Sequence, residues 1–257
     1  MPFIITTEKK LKSQSILRML DPGDIWEEDV WTNNVRKDDW ASIMDRHPGK
    51  PWRHMSELYG KHPGETIIVT GSGPSLLPAI PMLQKTKRTV MSINRSIRHV
   101  PATYFCAHDI EPITELIDHP NVQAAKKIIS CQILHQVREG TELYGIEAAG
   151  QPSRWAEGKR PLYWNEITLG WVIHLCIRMG AKRVVTIGCD LSLGYPDGFL
   201  QKGRTKEWLE AQHRGCQERT IEMFRKDGEH WRDAECEVLD ASGGLMPVPQ
   251  VKLEDYL

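Results

Sequence analysis

The sequence lacks a surplus of either charge, a long apolar run and a paired-cysteine motif. Its 33 basic and 34 acidic residues give a formal net charge of −1, which removes the overall electrostatic argument for nucleic-acid binding but allows a local basic patch. No apolar run approaches the ~20 residues that span a bilayer, so we expect no membrane span. The six cysteines form no CxxC pair and stand mostly in apolar surroundings, which favours buried free thiols over disulfides or a zinc site.

These absences favour a cytoplasmic location. The first residues, MPFIITTEKKLKSQ, become charged too early for a secretory signal peptide. Free thiols also suit a reducing compartment. The oligomeric state stays open, and the sequence is compatible with a homo-oligomer.

Residues 1–62 differ in composition from the rest of the chain. They contain four of the nine tryptophans, many charges and the turn signals DPGD and HPGKPW, but no long apolar strand. We predict a Trp-rich, mostly helical extension, serving either as a structural cap or as a surface for an acceptor or partner. Residues 63–257 are expected to form a Rossmann-like, nucleotide-binding catalytic domain.

From residue 66 onwards, short apolar segments alternate with segments of helical character. The clearest helix covers residues 165–182 and has Gly180 as a natural C-cap. Strands that are apolar on both faces and alternate with helices indicate a parallel sheet covered on both sides. We therefore predict an α/β fold with a doubly wound, mostly parallel Rossmann-like sheet. Its strands are expected at residues 66–71, 88–94, 102–108, 126–133, 182–190 and 234–242.

Polar residues and glycines follow the predicted strands. In a doubly wound sheet such strand ends converge, and the ligand lies beyond them. The residues in question are Gly71, Ser72, Gly73, Pro74 and Ser75 after the first strand, Asn94 after the second, Asp109 after the third, and Gly188 and Asp190 after the fifth.

The sequence GSGPS at residues 71–75 has two readings. Two glycines one residue apart let the backbone approach an anion, and a following helix would add its positive end. The same residues also suit a plain turn from strand to helix. The pattern is neither GxGxxG, because Leu76 replaces the third glycine, nor a P-loop, because no GK[ST] follows.

The other polar residues also have more than one possible role. Asn94 suits a ribose or a base edge, or a polar turn. Asp109 and Asp190 could hold Mg²⁺ if their strands are neighbours, or each could cap the next helix. His213 follows a glycine-rich segment at residues 192–206 and could take a proton from an acceptor hydroxyl. His174, within an apolar helix, is expected to be a core residue.

The segment IIVTGSGPSL (67–76) resembles the opening of two related groups of Rossmann-like proteins. One comprises the bacterial CMP-sialic-acid-dependent sialyltransferases. The other comprises the hydroxymethyl-dihydropterin diphosphokinases and motility accessory factors. The resemblance extends in pieces to about residue 245, through SINRSI (92–97), KKIISCQI (126–133), EITLGWVIHLCIRMGAKRVVTIGCDLS (166–192), His213 before TIEMF, and CEVLDASGGL (236–245).

The resemblance implies a role for each matching position. The backbone at Ser72, Gly73 and Ser75 would hold nucleotide phosphates, and Asn94 would contact the nucleotide or the donor sugar. Thr168 and Gly170 would line the base pocket, Gly188 and Asp190 would form its floor, and His213 would act as general base. Ser72 and Leu169 depart from the sialyltransferase pattern, which has asparagine and serine there, whereas Asp109 suits the diphosphokinase group.

The resemblance implies two candidate functions, and the residues alone leave a third. The first is a glycosyltransferase that uses a nucleotide-activated sugar, preferably CMP-linked, with His213 as general base. The second is a diphosphokinase that acts on a hydroxymethyl compound such as a pterin, with Mg²⁺ held by Asp109 and Asp190. The third is a non-catalytic nucleotide-binding protein that interacts through its Trp-rich extension. The sequence does not name the acceptor.

Overall fold

The computed structural model describes residues 52–130, 143–146, 148–149, 162–163, 167–191 and 205–257. Within them lie the strands β1 (Trp52–His54), β2 (Thr66–Thr70), β3 (Thr89–Ile93), β4 (Tyr104–Ala107), β5 (Lys126–Ser130), β6 (Leu143–Ile146), β7 (Ala148–Ala149), β8 (Leu162–Tyr163), β9 (Arg183–Ile187) and β10 (Glu237–Asp240). The α-helices there are α1 (Leu76–Leu83), α2 (Ile110–Leu116), α3 (Pro120–Ala124), α4 (Thr168–Arg178) and α5 (Lys206–Asp233). Short 3-10 turns cover Met55–Leu58, Asn94–Arg98 and Leu253–Tyr256.

Eight of these strands form one parallel sheet in the order β1-β6-β5-β4-β3-β2-β9-β10, and β7 pairs separately with β8. The chain adds β3 to β6 on one side of β2, then returns to the other side to add β9 and β10. The direction of winding therefore reverses between β2 and β9. This confirms the predicted α/β fold with a doubly wound parallel sheet, and all six predicted strands are present.

Both faces of the sheet are buried along its central strands, which explains why β2 and β4 are mostly apolar. Along β2, Ile67 and Val69 belong to the core cluster that contains residues of α4 and α5. Between them, Ile68 belongs to the cluster formed with α1 on the opposite face. Successive strand residues point to opposite faces, so the sheet forms the middle layer between two layers of helices.

The sheet begins before the boundary expected at residue 62. β1 pairs with β6 at the edge of the sheet, and the following turn places Met55 and Leu58 in the main core, each 1% exposed. Residues 52–62 therefore belong to the α/β unit. The rest of the predicted Trp-rich extension, residues 1–51, lies outside the described residues.

Two smaller expectations can be compared with the structure. Gly180 follows α4 with a φ of +91°, in the left-handed region expected of a C-cap glycine. Four of the six cysteines, Cys106, Cys176, Cys189 and Cys236, are free and buried, whereas the side chains of Cys131 and Cys216 lie outside the described part. Among the described residues, no helix combines the length and apolar character that crossing a membrane would need.

Candidate functional site at the switch point

Two loops meet where the winding of the sheet reverses. The glycine loop (residues 71–75) follows β2, and the β9 loop (residues 188–191) follows β9, its neighbour. The amide of Gly73 donates to the carbonyl of Gly188 over 2.7 Å, and the amide of Gly188 donates to Ser75 Oγ over 2.9 Å. In open α/β sheets, ligands bind beyond the carboxyl ends of the strands at such a reversal. The loops therefore lie at the expected position of a binding site.

Close packing between the two loops explains their glycines. A Cβ atom added to Gly71 would clash with the carbonyl oxygen of Gly188, and one added to Gly188 would clash with that of Gly71. A Cβ atom on Gly73 would overlap the carboxylate of Asp190. The contact between the loops is therefore enough to explain why residues 71 and 73 are both glycine, without any bound phosphate.

Asp190 lies against the start of α1, although it belongs to a different loop. Its carboxylate accepts a hydrogen bond from Ser75 Oγ over 2.9 Å and another from the amide of Ser75 over 3.3 Å. Ser75 is the N-cap residue of α1, but its own side chain makes no capping bond. A negative group is favourable at the positive end of a helix. Asp190 therefore caps α1, a helix that lies far earlier in the chain than its own strand.

Burial is the main influence on the ionisation of Asp190, which is 7% exposed. Loss of hydration raises the pKa of its carboxyl group above the ordinary value, the hydrogen bonds from Ser75 oppose the shift, and the charge of Asp240 adds to it. A carboxyl group with a raised pKa in the folded state favours folding at low pH. This contribution is lost as pH rises through the folded-state pKa.

Asp190→Asn should therefore change the dependence of stability on pH. The amide can keep both contacts with Ser75 while removing the charge, so we expect a higher melting temperature than wild type at pH 7 to 8. The difference should shrink as the pH falls towards 3.8, the ordinary pKa of an aspartate. Thermal unfolding across this range tests the prediction, and an unchanged difference at all pH values would contradict it.

Most amides of the glycine loop and the first turn of α1 already have partners within the chain. The amide of Ser75 donates to Asp190, and Pro74 has no amide hydrogen. Within the described residues, Ser72 is the position whose amide has no acceptor. The amides that donate to backbone carbonyls are those of Gly71, Gly73, Leu76 and Leu77. The loop therefore offers one backbone donor to a ligand.

Asn94, at the carboxyl end of β3, combines backbone strain with an unsatisfied side-chain atom. Its φ of 51° lies in the left-handed region, which is uncommon for residues other than glycine. Its Oδ1 atom is buried and has no hydrogen-bond partner among the described residues. Strained residues of this kind cluster at ligand sites. The free acceptor suits a hydroxyl or amino group of a ligand.

A buried cluster of hydroxyl groups supports both strand ends. Ser96 Oγ lies 2.9 Å from the carbonyl oxygens of Thr70 and Ile93, the residues that precede the glycine loop and Asn94. Thr70 Oγ1 lies 2.8 Å from Ser92 Oγ and 3.0 Å from Ser96 Oγ. All three hydroxyl-bearing residues are fully buried. This cluster fixes the ends of β2 and β3 relative to each other.

The start of α4 lies at the same edge of the sheet, because α4 runs from that edge to the beginning of β9. Its first residues, Thr168, Leu169 and Gly170, are buried. The N-cap residue Ile167 has no side chain that could bond the first amides. Among the residues that the structure describes, no side chain caps the positive end of this helix, unlike that of α1.

Helix α5 extends beyond the carboxyl edge of the sheet. Gln217 Nε2 donates to the carbonyl of Leu191 over 2.6 Å, which places Gln217 level with the β9 loop. Residues 206–216 precede it and extend on the order of 16 Å farther. Position 213 lies one turn, about 6 Å, before Gln217. It shares the helical face on which Thr220, Phe224, Asp227 and Trp231 are buried. The His213 side chain itself lies outside what the structure describes.

A third loop at this edge was not predicted as part of the site. Residues 241–246 follow β10, and within them the amide of Leu245 donates to the carbonyl of Asp190 over 2.9 Å. Ser242 Oγ accepts from the amide of Cys189 over 3.1 Å. A Cβ atom on Gly244 would clash with the backbone of Asp190. In the sequence, the polar and glycine residues at the end of CEVLDASGGL were the signal that could have identified this loop.

Asp109 does not share a site with Asp190. Their strands, β4 and β9, are separated by β3 and β2, which corresponds to about 14 Å at the usual strand spacing. The predicted Mg²⁺ pair required neighbouring strands, so these two residues cannot form it as proposed. Among the described residues, no group of three or more His, Cys, Asp or Glu side chains is placed to hold a metal ion.

The predicted site residues thus fall into two sets. The glycine loop, Asn94, Gly188, Asp190 and the start of α4 lie at the same edge of the sheet, near or at the switch point, whereas Asp109 lies farther along that edge. Comparison of the chain with protein-family models and with curated proteins gives no match.

Proposed function

We propose that this chain is a glycosyltransferase that binds a nucleotide-activated sugar at the switch point between β2 and β9. The observation that carries the proposal is the position of Asn94 and the glycine loop at the reversal of the sheet. Asn94 offers a buried acceptor in a strained conformation, and the neighbouring loop offers the amide of Ser72. These groups suit a ligand that combines hydroxyl or amino groups with an anion.

The limited number of free amides favours a donor with one phosphate, such as a CMP-linked sugar. Loops that hold di- and triphosphates use several backbone amides together with the positive end of a helix. Here the end of α1 is already occupied by the Asp190 carboxylate. A single phosphate can be held by the Ser72 amide, with the positive end of α4 at the same edge adding favourable potential.

The chemistry assigned to this arrangement is transfer of a sugar to a hydroxyl group. The acceptor oxygen forms a bond to the anomeric carbon while the bond from that carbon to the phosphate oxygen breaks. His213 takes the acceptor's proton as general base, and the nucleotide leaves with the negative charge. Donors near the phosphate stabilise that charge. Helix α5 carries position 213 beyond the edge of the sheet, where an acceptor could approach.

Diphosphate transfer from ATP ranks second. It normally requires Mg²⁺ to bridge the phosphates, and its two candidate ligands, Asp109 and Asp190, stand on strands that are not neighbours. A non-catalytic nucleotide-binding protein would share the same fold. Both alternatives give distinct results in the experiment that tests the proposal.

The test is a panel of ligands measured by thermal shift, followed by donor turnover. A ligand that binds the native state raises the melting temperature. We expect stabilisation by CMP in the presence of EDTA, and release of CMP from a CMP-linked sugar in the presence of a suitable acceptor. Stabilisation by ATP together with loss of activity in EDTA would favour the diphosphokinase. Nucleotide binding without turnover of any activated donor would favour the non-catalytic alternative.

A further inference from the structure

Asp190 occupies the place that an anionic ligand would take at the start of α1. The positive end of a helix that follows a glycine-rich loop is a common phosphate site. In this chain the group at that end is a carboxylate of the β9 loop, bonded to both the amide and the hydroxyl of Ser75. The chain therefore supplies its own anion at this position.

The surrounding loops hold the Asp190 carboxylate in place. Gly73 lies so close that a Cβ atom there would overlap the carboxylate, and Gly244 packs against the Asp190 backbone. On the other side, the carbonyl of Asp190 accepts from the amide of Leu245 over 2.9 Å. Moving Asp190 away from α1 would break these contacts. A ligand phosphate would thus meet a fixed negative group.

A ligand with one phosphate can avoid this group, whereas a longer phosphate chain has less room to do so. The free amide of Ser72 precedes Gly73, while the Asp190 carboxylate lies between Gly73 and Ser75. A second or third phosphate that extended from Ser72 towards α1 would approach the carboxylate. Two negative charges in a partly buried site repel each other more strongly than in water.

We propose that Asp190 determines the specificity of the site by excluding nucleotides with more than one phosphate. This inference rests on the proposed function, because it assumes that a nucleotide binds beside the glycine loop. Asp190 acts by repelling the negative charge of a second phosphate near the start of α1. The residue thereby selects a nucleoside monophosphate leaving group over di- and triphosphates.

The experiment compares the affinities of the full chain for CMP, CDP and CTP, measured by calorimetry in EDTA so that no metal ion masks the phosphate charges. Wild type should bind CMP at least about tenfold more tightly than CTP, which corresponds to about 1.4 kcal/mol. Asp190→Asn keeps the size and hydrogen bonds of the side chain but removes the charge. In this variant the preference for CMP over CTP should fall at least about tenfold.

Glu111→Gln is the matched control. It removes an exposed carboxylate from the first turn of α2, which follows β4 at the same edge of the sheet. This substitution should leave the preference for CMP over CTP unchanged, since a solvent-exposed charge is screened. A similar loss of preference in both variants would mean that total charge, rather than the position of Asp190, determines specificity, and would overturn the inference.

The outcomes separate this inference from the proposed function. If wild type binds CMP but binds CTP equally well, Asp190 does not select the phosphate number and the inference fails, while the proposed function stands. The same conclusion follows if Asp190→Asn binds CMP with an unchanged preference. If wild type binds none of the three nucleotides, the proposed CMP-linked donor fails as well. The wild-type comparison does not depend on the folding of any variant.

Discussion

His213→Ala is expected to lower kcat for sugar transfer by about 10²–10⁴-fold, the range over which general base catalysis contributes. The affinity for CMP should stay unchanged, because the proposed contacts of the nucleotide come from the glycine loop and Asn94. The expected loss of turnover follows from the position of residue 213 on α5. Gln217 fixes the helix at the β9 loop, and position 213 lies one turn beyond it. Steady-state turnover and calorimetry on the same preparation provide the two measurements.

The matched control for this substitution is Arg214→Ala. Arg214 is the next residue of α5, and its side chain is exposed. Loss of its side chain tests whether the helix tolerates a truncation at this level without loss of activity. We expect kcat close to that of wild type. Equal losses in the two variants would point to a disturbed helix, and full turnover by His213→Ala would refute its role as the base.

Gly188→Ala is expected to destabilise the fold by about 2–5 kcal/mol, from two additive causes. The φ of +71° at Gly188 costs a residue with a Cβ atom about 1–2 kcal/mol. The new Cβ atom would also clash with the carbonyl of Gly71 and lie 2.9 Å from Cβ of Leu76, and forced overpacking costs typically 1–3 kcal/mol. Guanidinium unfolding, with comparison of midpoints at an unchanged m-value, measures the loss.

Gly64→Ala separates these two causes. Gly64 has a similar φ of +73°, but a Cβ atom there would meet nothing within 4 Å. Replacing Gly64 with alanine should lower the free energy of unfolding by only about 1–2 kcal/mol, which is the cost of the left-handed backbone conformation. The excess loss in Gly188→Ala then reports the contact between the glycine loop and the β9 loop. Equal losses at the two positions would mean that the loops do not pack as tightly as the structure indicates.

Local patterns were enough to predict most of the fold. The segment TIIVT is apolar enough for a strand buried on both faces, and each of the other predicted strands contains a run of two or more apolar residues. By contrast, β1 consists of WRH, three residues with a basic side chain at the centre. Nothing in its sequence indicates a strand. It pairs as a strand with β6, more than 80 residues later in the chain.

The candidate site was only partly predictable, because, as with β1, some of its contacts join residues that are far apart in the chain. The sequence predicted the glycine loop, Asn94 and Asp190 at strand ends, and they follow β2, β3 and β9. The capping of α1 by Asp190 joins residues that are 115 positions apart, and no local pattern encodes a contact of that range. The sequence therefore left the glycines with two readings, phosphate approach or tight turn. The structure adds a third cause, the packing of one loop against another.

Nuclear magnetic resonance of ¹⁵N-labelled protein tests the central claim most directly, by locating the residues that respond to CMP. If the nucleotide binds at the switch point, the largest shifts of backbone amide signals should occur at Ser72 and Asn94 and at the start of α4. Residues at the opposite edge of the sheet, such as His62, should not respond. No shifts on adding CMP, or shifts confined to that opposite edge, would contradict the claim that this reversal of the sheet is a nucleotide site.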